Sequence, residues 1–134
     1  MRYMMLIYSK EQPADPVRRA EVYKGHMAVM EEAKRKGAYI GAEPLAPTST
    51  ATTVRVADGK TLITDGPFAE TKEQLAGYYI LECKDLDEAI EYASKIPTGC
   101  KGAEGCIEIR PLPGVPAPPP ELQQEAARVL ARNG

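Results

Sequence analysis

Short apolar runs and longer segments with helical spacing alternate along this chain, and their order predicts its secondary structure. The run from Arg2 to Tyr8 is apolar and β-prone, which predicts a first strand with a buried face. Asp15 followed by Pro16 is typical of a helix N-cap and first helical position. This helix is predicted to continue to about Lys36 and to end at Gly37, because glycine commonly follows the last helical turn.

The predicted first helix carries apolar side chains on one half of its surface when residues are placed at about 100° per residue. His26, the only histidine of the sequence, lies near the middle of that half. Arg19 lies two turns before it on the same line. The apolar half consists of Ala20, Val22, Tyr23, Met27, Val29, Met30 and Ala33.

A second strand is predicted from Ala38 to Leu45, and a hairpin signal follows it. Two β-prone runs, Thr52 to Ala57 and Lys60 to Asp65, are joined by Asp58-Gly59. This dipeptide suits a two-residue turn that requires positive φ angles. The sequence therefore predicts a tight β-hairpin after the second strand.

The remaining elements are a strand, a helix, a final strand and a tail. A strand is predicted from Gly77 to Lys84, and Asp85 with Glu88 then forms a capping box that starts a second helix. The run from Cys106 to Leu112 alternates apolar and charged residues, which predicts the last strand. The apolar side of the second helix is predicted to consist of Leu86, Ala89, Ile90, Ala93 and Ile96.

Without the hairpin, the order is strand, long helix, strand, strand, helix, strand, which is the split βαβ arrangement. We therefore expect an α+β, ferredoxin-like fold with helices on one face of a mainly antiparallel sheet. Apolar side chains also point to the other face, and a homodimer would bury such a self-complementary surface. This domain is assigned to residues 1–112, and residues 113–134 form a proline-rich linker and a short helical tail.

Charge and motif content exclude several classes of function. Lys plus Arg is 17 against Asp plus Glu 19, and no basic stripe predicts direct nucleic-acid binding. The first apolar run is too short for a secretory core or a membrane span, so a cytoplasmic location is expected, with Cys83, Cys100 and Cys106 as free thiols. Phosphate-binding loops and paired-cysteine motifs are missing, so neither a cofactor nor a metal is expected.

Residues 51–79, ATTVRVADGKTLITDGPFAETKEQLAGYY, carry a specific motif, and ECKDLDEAIEYASKIP and IEIRPL follow it. Together they closely resemble the YCII-related family, also called the DGPF family, over about residues 1–112. The tetrad that gives the second name is Asp65 to Phe68.

The resemblance implies a ferredoxin-like fold assembled as a dimeric α/β barrel, and it implies little about chemistry. In some members a His and an Asp face a shared cavity, and relatives of the same fold include muconolactone-isomerase-like and dechlorinating enzymes. Asp65 matches the motif aspartate, and His26 lies on the first helix, where the YCII branch has its histidine. The resemblance also implies a link to alternative sigma factors.

His26 and Asp65 are the candidate catalytic residues, and each has an alternative role. A histidine titrates near neutral pH and suits acid–base chemistry, and the alternative is an interior histidine hydrogen-bonded to backbone or a tyrosine. Asp65 is a candidate general base, or it ends the hairpin by accepting hydrogen bonds from the following turn.

Five further residues are candidate ligand contacts. Tyr78 and Tyr79 point to opposite faces of their strand, so one lines the helix-covered core and the other the barrel interior. Phe68 either walls a cavity or anchors its loop. Arg110 binds a ligand if its face lines the dimer cavity, and Arg19 supplies a cation beside His26 or extends to solvent.

The sequence leaves open whether the protein is an enzyme. The first hypothesis is a small-molecule pocket protein that catalyses proton transfer, such as an isomerisation or an elimination. The alternative is a non-catalytic regulatory or interaction module associated with an alternative sigma factor, with the tail helix as its contact. The two differ because the first requires an open cavity and the second an exposed binding patch.

Overall fold

A four-stranded antiparallel sheet lies at the centre of the structure, a computed structural model that describes residues 1–11, 15–98 and 105–133. Its strands are β1 (Arg2–Ser9), β2 (Tyr39–Pro44), β5 (Gln74–Glu82) and β6 (Gly105–Leu112). They pair in the order β2-β5-β1-β6. With the intervening hairpin left out, this is the strand order of the split βαβ fold, which confirms the predicted α+β class.

Two helices cover one face of this sheet, and their ends follow the predicted capping. Helix α1 (Pro16–Arg35) begins after Asp15, whose carboxylate accepts a hydrogen bond of 2.9 Å from the Arg18 amide. Gly37 follows the helix with a φ of 72°. Helix α2 (Leu86–Ala93) is capped in the same way by Asp85. A third helix, α3 (Pro120–Asn133), follows the proline-rich segment and has no buried residue.

The core lies between the two helices and one face of β1 and β5. Successive strand residues alternate between faces, as predicted, and it is Tyr79, with Leu81, that is buried beneath the helices. Tyr78 and Ile80 of β5 lie on the opposite, uncovered face and are only half-buried. The core residues are Tyr3, Met5, Ile7, Val29, Ala33, Ala38, Tyr79, Leu81, Cys83, Ala89, Tyr92 and Ile96.

The predicted apolar half of α1 is only partly correct, because the helix extends beyond the core. Twenty residues of helix are about 30 Å long, and only Val29 and Ala33, in the C-terminal half, are buried. Tyr23 and Met27 are exposed, at 66% and 40% of their surface. The N-terminal half of α1 therefore presents apolar side chains outside the core.

The predicted apolar side of α2 is wrong at two positions. Leu86 and Ile90 are about half exposed, at 51% and 49%. Ala89 and Ile96 are buried as predicted, and Tyr92, which the prediction left out, is buried with them. The three buried positions share a stripe at spacings of three and four residues, and the large ring of Tyr92 belongs to the core on this stripe.

The predicted hairpin is confirmed, and it stands apart from the main sheet. Strands β3 (Thr52–Ala57) and β4 (Lys60–Asp65) form a separate two-stranded sheet. Asp58 and Gly59 have φ angles of 52° and 73°, as the two-residue turn requires. The apolar side chains of the hairpin are exposed: Val54, Val56, Leu62 and Ile63.

The main sheet is open within the described part of the chain. Its edge strands β2 and β6 each pair with one neighbour, so a single chain does not close a barrel. The dimeric barrel and the homodimer remain predictions. No helix among the described residues has the length and apolar character needed to cross a membrane. Cys83 is a buried free thiol and Cys106 an exposed one, whereas Cys100 lies outside the described residues.

Candidate functional site

A cavity of about 320 Å³ opens between α1 and the edge of the sheet formed by β2 and β5. This volume is at the lower end of the range for small-molecule sites, which runs from about 300 to 1,000 Å³. The N-terminal half of α1 has no buried residue, and β2 and β5 carry small residues beside it, so space is left between the helix and the sheet edge. Its walls are formed by Ile7, Tyr23, His26, Met27, Met30, Ala42, Glu43, Pro44, Ala76, Gly77, Tyr78 and Tyr79.

His26 and Tyr79 form the polar centre of the cavity wall. The Nδ1 atom of His26 lies 2.8 Å from the hydroxyl oxygen of Tyr79, a hydrogen-bond distance. The same hydroxyl can donate to the His26 carbonyl oxygen at 3.5 Å, which is a weaker contact. Because Nδ1 is occupied, Nε2 is the ring nitrogen left for a ligand, and it has no hydrogen-bond partner among the residues that the structure describes.

Burial sets the protonation state of both groups. Desolvation lowers the pKa of His26 below its ordinary value of 6.5, because the apolar walls disfavour the imidazolium. Desolvation, with a smaller contribution from Tyr39, raises the pKa of Tyr79 to about 12. At neutral pH the site therefore holds a neutral imidazole and a neutral phenol.

The strand register decides which side chains enter the cavity. Ala42 pairs with Tyr79 on the helix-covered face, where the cavity lies. Glu43 pairs with Tyr78, and directly opposed side chains share a face, so both point to the uncovered face. Glu43 and Tyr78 still border the cavity, but this alternation directs the Glu43 carboxylate to the face opposite that of Tyr79, the residue that contacts His26.

The structure brings two of the predicted site residues into direct contact, His26 and Tyr79, and places Tyr78 beside them on the opposite face. Asp65 ends β4, opposite Thr52, and does not line the cavity of its own chain. Phe68 is 76% exposed and also lies outside the cavity. A role for Asp65 or Phe68 in one site with His26 stays a prediction that requires a second copy of the chain.

The two predicted arginine contacts also lie outside the cavity walls. Arg110 is exposed on β6 and pairs with Met4, on the uncovered face of the sheet. Arg19 is exposed on the first half of α1. The alternative role of Asp65 is not seen either, since among the described residues its carboxylate accepts no hydrogen bond. The turn is held by Gly66, whose amide donates to the Ala51 carbonyl at 2.7 Å.

Small residues in the strands form part of the cavity wall that the sequence analysis missed. Ala42, Ala76 and Gly77 leave the space that the ligand would occupy. At Gly77, strands β5 and β2 approach so closely that a Cβ atom would lie 2.8 Å from the Glu43 carbonyl oxygen. Glycine within a predicted strand often marks such a close approach, so Gly77 was the signal that could have located this edge.

A cluster of three charged side chains lies outside the cavity, where α1 meets the turn after α2. The Glu32 carboxylate accepts hydrogen bonds from Lys36 at 2.9 Å and from Lys95 at 2.9 and 3.1 Å. These bonds, that of Lys36 first, lower the pKa of Glu32 to about 2. The cluster joins α1 to the turn after α2. Within the described ranges, no three His, Cys, Asp or Glu side chains are grouped to hold a metal ion.

Comparison with known proteins gives the family of the chain. The family model described as the YCII-related domain matches residues 1–113. An uncharacterised protein of Rhizobium meliloti (strain 1021) is 36% identical over 115 residues, which cover 84% of this chain and 92% of that protein. The match includes α1 with His26 and β5 with Tyr79. The chain belongs to the YCII-related domain family.

Proposed function

We propose that this protein binds a small molecule in the cavity beside His26 and catalyses a proton transfer there. The observation that carries the proposal is the 2.8 Å contact between His26 Nδ1 and the Tyr79 hydroxyl in the wall of an apolar cavity. A base must be held in position by a partner and must keep a free nitrogen for the substrate. His26 meets both conditions, with Tyr79 as the positioning residue.

The proposed step begins with neutral His26, the form that the lowered pKa favours at neutral pH. Nε2 takes a proton from a carbon–hydrogen bond of the substrate, and the electron pair of that bond moves into the substrate. For Nε2 to accept this proton, the neutral imidazole must carry its hydrogen on Nδ1, so Nδ1–H donates to the Tyr79 oxygen before and after the transfer, and the Tyr79 hydroxyl donates to the His26 carbonyl oxygen, 3.5 Å away. Nε2 then returns the proton to another substrate atom or to a leaving group.

This sequence of events corresponds to isomerase- or lyase-like chemistry. It consumes no oxidant or reductant, because the proton and the electron pair both stay with the substrate and the leaving group. Tyr79 does not ionise, since its pKa of about 12 keeps the phenol protonated. Asp65 does not line this cavity, so its part as a second acid or base requires a dimer that brings it from a second copy of the chain.

The test starts with a thermal-shift screen of small acids and small aromatic compounds, because binding to the folded state raises the melting temperature. Each compound that binds is then incubated with the protein in D₂O, and NMR follows the loss of its carbon–hydrogen signals. We expect the wild-type protein to catalyse exchange, the His26→Gln variant to lose it, and Lys24→Gln, an exposed neighbour outside the cavity, to retain it. Undiminished exchange by His26→Gln would refute the role of His26.

The second candidate function, a non-catalytic interaction module, is favoured by α3. Its apolar residues Leu122, Val129 and Leu130 are exposed, at 53%, 49% and 74%. Such a helix suits a partner surface, and a sigma factor is the partner that the family resemblance suggests. Deleting the residues after Leu112 should then abolish capture of an alternative sigma factor while leaving the thermal unfolding of the domain unchanged.

A further inference from the structure

The charge of the cavity walls limits the class of molecule that the site accepts. Ile7, Met27, Met30 and Ala42 are apolar, and no lysine or arginine is among the described residues that line the cavity. The one acidic residue at the wall, Glu43, points its carboxylate to the opposite face of the sheet. A ligand inside the cavity therefore meets no side-chain charge of either sign.

An unpaired charge is costly to bury, and this cost selects against ionised ligands. A carboxylate or phosphate would find no cation in the cavity wall, and an ammonium group would find no carboxylate. The hydrogen-bonding group at the centre of the wall is Nε2 of His26, because Nδ1 is held by Tyr79. Neutral imidazole can donate or accept at Nε2, depending on its tautomer, so it suits either a hydroxyl or a carbonyl.

We infer that the cavity selects an uncharged, mainly apolar molecule of about one aromatic ring, with one hydroxyl or carbonyl group placed against His26 Nε2. The inference rests on the proposed function and adds the substrate class to it. For the proposed proton transfer, the carbon–hydrogen bond next to such a carbonyl, and not the carbonyl oxygen itself, must face Nε2, because the base needs its lone pair there. The carbonyl then accepts the electron pair that the proton leaves behind.

Three probes of nearly equal shape test the inference: benzyl alcohol, benzoate and benzylammonium. Titrations at pH 7.5 follow the imidazole Hε1 resonance of His26, which is assigned without ambiguity because the chain has one histidine. We expect benzyl alcohol to bind at least tenfold more tightly than either ion. Equal or tighter binding of benzoate or benzylammonium would overturn the inference.

A variant that adds a charge to the cavity wall tests whether the probes bind in this cavity. Met27 lies in the cavity wall and is 40% exposed, so a lysine there can keep its ammonium group near water while the fold is retained. Met27→Lys should tighten benzoate binding about tenfold and weaken benzylammonium binding. Unchanged affinities for both ions would overturn the inference, and the matched exposed substitution Val17→Lys, outside the cavity walls, should leave all three affinities unchanged.

The outcomes separate this inference from the proposed function. If benzyl alcohol is preferred but no bound compound exchanges its carbon–hydrogen protons, the ligand class stands and the proton-transfer chemistry fails. If exchange occurs with an anionic compound bound preferentially, the chemistry stands and the ligand class fails. If none of the three probes shifts the His26 resonance at millimolar concentration, the ligand class fails, and the exchange assay with His26→Gln decides the proposed function on its own.

Discussion

The rings of His26 and Tyr79 lie with their planes 17° apart and their centres 5.9 Å apart. The planes are therefore nearly parallel, and the Tyr79 hydroxyl oxygen lies 2.8 Å from Nδ1 of the imidazole. The contact thus fixes the orientation of the imidazole as well as its distance. A side chain fixed in this way presents Nε2 in one direction.

Loss of this hydrogen bond should have a measurable cost in stability. We expect Tyr79→Phe to lower the free energy of unfolding by about 1 kcal/mol, the usual net value of such a bond. The control is Tyr3→Phe, because Tyr3 is equally buried and its hydroxyl has no hydrogen-bond partner among the described residues. Urea unfolding measures both. Equal effects of the two substitutions would contradict the assigned role of the Tyr79 hydroxyl.

The burial of His26 should make stability depend on pH in a defined direction. Desolvation lowers the pKa of His26 in the folded protein below 6.5, so the unfolded chain binds a proton more readily. This contribution to stability is fully present above pH 6.5 and is lost as the pH falls toward the folded pKa. The wild-type protein should lose more stability than His26→Gln between pH 7.5 and 5.5.

An NMR titration of His26 checks the same claim directly. The midpoint of the Hε1 shift in the folded protein should lie below 6.5. A midpoint at or above 6.5 would show that the imidazole is well solvated, and the prediction of its neutral state in the cavity would then be wrong.

The ion pairs of Glu32 should also make stability depend on pH. As with His26, the contribution is lost as the pH falls, although the titrating group is here a carboxylate. The hydrogen bonds from Lys36 and Lys95 lower the pKa of Glu32 from 4.5 to about 2. The contribution is present above about pH 4.5 and is lost as the pH falls toward 2. Glu32→Gln should therefore lower the melting temperature at pH 7 but change it less at pH 3, whereas Glu31→Gln, an exposed neighbour, should have little effect at either pH.

Gly77 should not tolerate a side chain. A Cβ atom there would lie 2.8 Å from the Glu43 carbonyl oxygen and 3.2 Å from Pro44 Cα, and backbone atoms in a sheet cannot easily move. We expect Gly77→Ala to cost about 1 to 3 kcal/mol, the usual range for overpacking. Gly41→Ala is the matched control on β2, because a Cβ there meets nothing within 4 Å. A cost as small as that of Gly41→Ala would contradict this account.

The predicted dimer is tested on the uncovered face of the sheet. Leu6 of β1 lies there, opposite Tyr78 and Glu108, and is half-buried in the single chain. If two copies pack through this face, Leu6→Lys should convert the dimer to a monomer, because it buries a charge at the interface. Ile90→Lys, on α2 and about half exposed, should leave the dimer intact. Sedimentation velocity measures both, and a monomeric wild-type protein would refute the dimer.

The sequence predicted those parts of the fold that depend on local chemistry. The caps at Asp15 and Asp85 and the turn at Asp58-Gly59 are each decided by a few adjacent residues, and all three are confirmed. The faces of β5 follow from strict alternation and are also correct. Helix faces were harder, because a pattern cannot show where a 20-residue helix leaves the core, as α1 does before Val29.

The candidate site was predicted only in part for the same reason. His26 was identified from its place on an apolar helix face, and the alternative of a histidine hydrogen-bonded to a tyrosine describes its contact with Tyr79. No local pattern could show which of the neighbouring tyrosines meets His26, because that depends on the packing of α1 against β5. The distance of Asp65 from His26 within one chain depends on the hairpin, which pairs with no strand of the main sheet.

The hairpin of β3 and β4 forms its own two-stranded sheet and is not needed for the pairing of the main sheet. Without residues 52–65, every strand pairing of the four-stranded sheet would remain, and so would the element order β1, α1, β2, β5, α2, β6. The exposed valine, leucine and isoleucine side chains of the hairpin therefore lie outside the hydrophobic core of the single chain. They leave an apolar surface on the single chain that is open to contact with another molecule.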